Sequence, residues 1–412
     1  GVYSSTPSSE WCSGVNSSGN DVRDIYWWDP KRYDPLRGGW YNRSNSGCVE
    51  IQFAGGDVLD GRVHVNDTPL MGGAVTFKEG LETSDPRCKN AVAGNTSTYG
   101  NCQRGSGTPN YLKPPRWAEE LYLEDNSGKF ATFPGCQYTG PTRIVLKDNG
   151  TMNVWSKWST GVPAQCGGNA VTTSGGATNV PVPDGQVVYV KNGGAARQCN
   201  AGEIGDGLPL ANDVTMQLND QYCDKGNLYI EGTLKGRLSV AANNSIVVTG
   251  DVLLKDGLGG VDMLGLVASN SVQVMHPWIN NRTWECVRWD RRGNCSSSGW
   301  VDHFSESSTW PHRNGRSNDI QIYGSIQTLQ HSFFVQNYDE GTQQGKLTVR
   351  GSIAQKWRGI VGTGSGGYGS TGYLKDYGYD ARLKYSSPSY FPQWSNAKWG
   401  PRYTGEVTAR YR

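Results

Sequence analysis

Residues 372–392, GYLKDYGYDARLKYSSPSYFP, crowd five tyrosines, two lysines, an arginine and two aspartates into one short stretch. Groups of these types can move protons, with Lys375 or Tyr377 as base and Asp376 or Asp380 in support. Such a site needs a reacting partner from elsewhere in the chain, and none is visible. The same residues also suit an end plug. Tyrosine rings pack on a neighbouring layer while their hydroxyls stay hydrated, and Lys375, Asp376, Asp380 and Arg382 can pair among themselves. Pro388 and Pro392 then stop further strand pairing. Residues 372–412 are therefore expected to form a Tyr/Pro-rich C-terminal cap.

Other catalytic spacings are sparse. His64, His276, His303, His312 and His331 form no HxxxH pair, and no GxSxG accompanies them. A glycosidase needs two carboxylates roughly 5 to 10 Å apart. Asp57, Asp60 and Asp67 are one such group, whereas Asp251, Asp262 and Asp319 stand alone. Asp57 and Asp60 lie beside glycines, where aspartate commonly turns the chain. KDNGT and LNDQYCDKGN hold too few carboxylates for a calcium loop. No catalytic residue, metal or cofactor is assigned, and the balance leans against an enzyme.

A contact surface is the better prospect. Residues 276–318, beginning HPWINNRTWECVRWDRRGNCSSSGWVDHF, carry Trp278, Trp284, Trp289, Trp300 and Trp310 with Arg282, Arg288, Arg291 and Arg292 interleaved. Rigid aromatics and guanidinium groups on a long excursion suit glycan rings, an anionic wall polymer or a protein neighbour. The candidate contact set is Trp278, Trp284, Arg288, Trp289, Trp300 and Trp310. The competing reading is that these tryptophans cover exposed strand edges.

The elements that must position these groups are strands. Charged residues make up 18% of the chain, below the roughly 25% of ordinary soluble domains. Glycine (56), tryptophan (15) and tyrosine (21) are plentiful, as in all-β proteins rich in tight turns. The formal charge of +2 gives no electrostatic case for nucleic acid. Ten cysteines without a CxxC motif point to disulfides made in an oxidising compartment. Pairing neighbours costs least loop entropy, which gives Cys12–Cys48, Cys88–Cys102, Cys136–Cys166, Cys199–Cys223 and Cys286–Cys295. The chain begins at Gly1, and a signal or anchor removed from it or lying outside it is expected. Asn66, Asn149 and Asn281 head glycosylation sequons.

Residues 227–257, NLYIEGTLKGRLSVAANNSIVVTGDVLLKDG, show apolar alternation with period two, broken by glycine or Asn-Asn. A small unit recurs in which a glycine is flanked by apolar residues two positions away on each side. It appears as Ile230 to Leu234, Val248 to Val252, Ile322 to Ile326 and Val349 to Ile353. Such spacing fits the coils of a β-solenoid, each stacked on the last and each turning at its glycine. The expected fold is an all-β, right-handed parallel β-helix, with a β-sandwich as the alternative. Residues 1–47 would cap its start and residues 48–371 form the helix. Residues 78–135, 157–183 and 276–318 would be loop insertions. Within the helix, TRIVLKDNGTMNVWS (142–156) reads as a hairpin turning at Asp148-Asn149-Gly150.

The strings CVEIQFAGGDVLDGRVHVNDT, YTGPTRIVLKDNGTM, NLYIEGTLKGRLSVAANNSIVVTGDV, LGLVASNSVQVMHP, LQHSFFVQNYDEG, GKLTVRGSIAQKWRGIVGT and GYLKDYGYDARLKYSSPSYF occur in this order. Together they resemble a family of secreted or membrane-anchored actinobacterial surface proteins with a type IV pilin-like N-terminal helix and a β-helical ectodomain. That resemblance runs from about Cys48 to the C-terminus and implies a surface location, with a weaker link to pilus machinery. It brings no catalytic residues. The expected function is a non-catalytic, extracellular structural or adhesive surface protein, with a pilus-associated or filament-forming subunit as one form of it. Its partners would be other surface or pilus subunits, itself, or a glycan or cell-wall polymer. Contact with a membrane would come only through an N-terminal anchor. A polysaccharide lyase or glycoside hydrolase built on a β-helix is the alternative.

Overall fold

The recurring glycine units do lie in strands that stack side by side. In the computed structural model, residues 26–28, 31–34, 39–42, 51–215, 222–307, 319–356, 358–364 and 370–394 are described. Strands take 43% and helix 10%, the latter all in short 3-10 turns among the described residues, so the protein is all-β.

Two parallel series run beside each other. In the first, Thr142–Leu146, Leu228–Leu234 and Ile246–Leu254 align Ile144 with Ile230 and Val248. Ile246–Leu254 then passes pairing on to Val272–Val274 and Phe333–Val335. In the second, Tyr138, Val190, Ala242, Ala268, Thr328 and Gln355 stand in one row. Their strands are Gly135–Thr139, Gln186–Lys191, Arg237–Ala242, Met263–Ala268, Ile320–Thr328 and Gln343–Gln355.

Each recurring glycine lies inside a strand, and at Gly250 and Gly324 the strand changes partner. Residues 246–248 pair with Val272–Val274, whereas Val252, beyond Gly250, pairs with Ile322. Only Gly232 of the four takes a left-handed backbone, with φ of 108°. Gly351 is required by close approach, since a Cβ there would lie 1.9 Å from the Gly324 carbonyl oxygen. Flanking residues Ile230, Leu234, Val248, Val252, Ile322, Ile326 and Val349 all enter one buried cluster. Each such side chain contributes about 2 kcal/mol of apolar burial before entropy is counted. The Asn-Asn breaks are used as well: Asn244 donates to Asn227 Oδ1 (2.8 Å), and Ser245 meets Ser271 at 2.9 Å.

The outer faces are covered too, so residues that alternate with the core positions, such as Tyr229, Ala241 and Val247, are buried as well. Phe130 and the partly buried Phe391 pack on Val187, Tyr189, Ala241 and Val267. On another side Ile204 and Leu208 pack on Tyr229 and Val247. At one end Thr142–Leu146 and Thr151–Trp155 form the expected antiparallel hairpin, and Ala177–Pro181 extends it. Gly150 closes the turn with φ of 84°.

Three expectations need correction. The stretch assigned to a terminal cap supplies the strand Thr371–Tyr379, which has neighbours on both sides. Tyr377 aligns with Val349 in one direction and with Leu59 in the other. The N-terminal strands Val58–Asp60, Thr76–Phe77 and Asn110–Tyr111 thus continue the row beyond the C-terminal strand. Residues 380–394 instead run along the side of the stack, where Arg237 donates to Ser387 O (2.7 Å) and Gln327 to Pro392 O (3.0 Å). Residues 78–135 are not a pure excursion either. They supply Leu81–Thr83 and Arg116–Trp117 to a three-stranded parallel ladder with Val63–Val65. Residues 157–183, also expected as an insertion, supply Ala177–Pro181 to the end hairpin. Most of the expected cap 1–47 lies outside the described residues; Trp27 and Trp28 dock on Asp67 and Asn66.

The disulfides join Cys88 to Cys102, Cys136 to Cys166, Cys199 to Cys223 and Cys286 to Cys295, each to its neighbour in the sequence. Cys12 and Cys48 lie outside the described residues. Four bridges suit an oxidising environment such as the cell exterior. Among the described residues no helix is long and apolar enough to cross a membrane.

Candidate contact arm

Between Val272–Val274 and Ile320–Thr328 the chain leaves the stack and returns as a long hairpin. Its root pairs Trp278–Asn280 antiparallel with Phe304–Glu306. Its outer half pairs Thr283–Trp289 with Cys295–Val301, placing Trp284 opposite Trp300. β-Branched and aromatic residues at both ends of Thr283–Trp289, and Trp300-Val301 opposite its start, favour this pairing, and Cys286–Cys295 holds it near the turn. Asp290 forms the turn by accepting from the N–H groups of Arg292 (2.7 Å) and Asn294 (2.9 Å). Those backbone donors hold its carboxyl below the usual range.

The root is polar and half-buried, with His276 buried beside it. His276 sits against the stack, with Nδ1 3.1 Å from the carbonyl oxygens of Gln336 and Asn337. Asn337 donates back to His276 O at 2.6 Å. Glu306, on the returning strand, accepts from Thr342 N–H (2.6 Å) and Gln344 Nε2 (2.7 Å), and lies 3.8 Å from His276 Nε2. Val214 N–H donates to Trp278 O, and burial pushes the neighbouring Asp213 carboxyl up. The arm is therefore anchored where it starts and ends.

Beyond the root almost every residue faces solvent. Trp284, Trp289 and Trp300 are 61%, 64% and 59% exposed. Trp284 and Trp300 meet edge to face, centroids 5.5 Å apart, and Arg282 lies over Trp300 while pairing with Asp302 at 2.7 Å. Such exposure rules out the idea that these three indoles cover strand edges of the stack. Trp278 is half-buried in the root, and Trp310 and His312 lie outside the described residues. Sequence reasoning missed Val287 and Phe304, which are also exposed on the arm. Their spacing carries no periodic signal, because the outer strand holds two bulges.

The carboxylates considered for catalysis have other duties. Asp57 pairs with Lys375 (3.1 Å) and Arg358 (3.5 Å), and Asp67 accepts from Trp27 and Thr68 N–H groups. Asp251, Asp262 and Asp319 accept backbone N–H groups of adjoining strands. Lys375 is pushed down by burial and by Arg358, and Tyr377 is pushed up by burial; both side chains are half-buried in the stack, with Lys375 paired to Asp57. Asp206 and Glu231 do come together, at 3.1 and 2.7 Å from Arg143 Nη2. The buried guanidinium fills the space between them, where a glycosidic bond would have to lie.

A cavity of about 220 Å³ is lined by Arg62, Glu79, Glu82, Lys113 and Arg116. Lys113 holds Glu79 low, and His64 and Arg116 hold Glu82 at about 2. His331 is buried and its imidazole is pushed well down by burial. Cys199, Cys223 and Glu203 cluster at metal-ligand distances, but both sulfurs are in a disulfide.

No family model, curated protein or solved structure matches the chain.

Proposed function

We propose that this chain is an extracellular structural or adhesive surface protein, a right-handed parallel β-helix that presents an anchored hairpin for contact. The helix reading is supported by parallel rows that repeat glycine over glycine, as at Gly324 and Gly351, with strands changing partner at Gly250. Right-handed crossovers are the rule between parallel strands. Sequence strings like those of actinobacterial surface proteins point the same way, as do the disulfides. On this reading a pilus or filament neighbour, or a wall polymer, meets the arm.

The observation that carries the proposal is three indoles held in the open on a disulfide-pinned hairpin whose root is hydrogen-bonded to the stack. Exposed tryptophans cost solubility unless a partner covers them, and rigid aromatics are the commonest anchors of contact surfaces. The test replaces residues 281–303 by a short Gly-Asn turn and measures retention of the purified chain on bacterial cell walls. Retention should fall at least tenfold while the melting temperature stays within a few degrees. Unchanged retention would rule out the arm as the contact element.

A further inference from the structure

Between His276 and Ser307 the arm holds four arginines and four carboxylates, but they are not equally available. Arg282 is matched by Asp302. Glu285 accepts from Thr283 and from His303 Nε2, Asp290 is committed to the turn, and Glu306 to the root. Arg288, Arg291 and Arg292 are exposed, and their guanidinium groups have no ion pair or hydrogen bond among the described residues. Trp289 stands among them, and Trp284 and Trp300 lie about five residues, ~16 Å, nearer the root. The tip thus concentrates unneutralised positive charge beside exposed indoles on a chain whose net charge is only +2.

We infer that the arm's tip binds an acidic polysaccharide: uronate carboxylates meet Arg288, Arg291 and Arg292, and sugar-ring faces stack on Trp284, Trp289 and Trp300. This rests on the reading of the arm as a contact element and names its ligand. Guanidinium groups pair with carboxylates in bidentate geometry, which favours a polymer bearing one carboxylate per ring. An anionic membrane is the weaker fit. A membrane-seated hairpin needs a continuous apolar face, whereas the returning strand here begins Cys295-Ser296-Ser297-Ser298-Gly299.

The experiment uses the full chain against polygalacturonate, neutral dextran and phosphatidylglycerol vesicles. Wild type should bind polygalacturonate more tightly than dextran, with affinity falling as salt rises. The R288Q/R291Q/R292Q variant should lose about tenfold on polygalacturonate, with an unchanged melting temperature and little change on dextran. Equal binding of dextran and polygalacturonate, untouched by the glutamines, would overturn the charge inference yet leave the arm as a contact element. Binding to vesicles but not to polygalacturonate would overturn it in favour of a membrane. If the chain lacking residues 281–303 still bound polygalacturonate, the inference and the contact arm would both fall.

Discussion

At Gly351 the backbones of two neighbouring strands come so close that any side chain would strike the Gly324 carbonyl. Gly324 and Gly351 stand opposite each other, and both sit between apolar residues of one buried cluster. Gly351→Ala should therefore cost about 3 kcal/mol through forced separation of the strands, read as a lowered midpoint in urea. A shift under ~0.5 kcal/mol would mean that the strands yield freely. The need for glycine was legible in the sequence because the apolar flanks repeat around it. Its cause was only half legible: Gly232 takes positive φ, but crowding rather than φ decides Gly351.

At the scale of elements, the ladder Val63–Val65, Leu81–Thr83, Arg116–Trp117 places His64, Glu82 and Arg116 in one row. His64 (3.5 Å) and Arg116 together lower the Glu82 pKa from an ordinary 4.5 to about 2. Because the folded value is the lower one, this contribution is present above pH 4.5 and is lost as pH falls through 2. With Arg116 largely exposed and screened, it is worth about 1–2 kcal/mol. Glu82→Gln should lose that much at pH 7 and melt with a flatter acid limb than wild type. Parallel acid limbs in the two proteins would show that the row contributes nothing. The alternation of His64 with Val63 and Val65 was readable in the sequence, whereas its partners, far along the chain, were not. In the arm, the pairing of Cys286 with Cys295 was readable. Which indoles stand free was not, because bulges break the period-two pattern.

Across the whole molecule, local pattern showed strands and failed on order. Nothing in GYLKDYGYDARLKY announces that Tyr377 will lie between Val349 and Leu59, since its neighbours are distant in sequence. A plug and an interior strand draw on the same tyrosines, so composition could not separate them. The same holds for residues 78–135, where polar loops alternate with two- and three-residue strands too short to show a period. A doubly covered apolar core fixes the His276 and Glu306 root, and the arm projects from it.

The central claim is that the exposed indoles serve a partner and not the fold. The most direct measurement compares wild type with the W284S/W289S/W300S variant in binding to bacterial cell walls, with thermal melting of both proteins. Binding weakened at least tenfold with a melting temperature unchanged within about 2 °C is the predicted result. Undiminished binding, or a fall of many degrees in melting temperature, would contradict it: the indoles would then hold the protein together rather than hold it to something else.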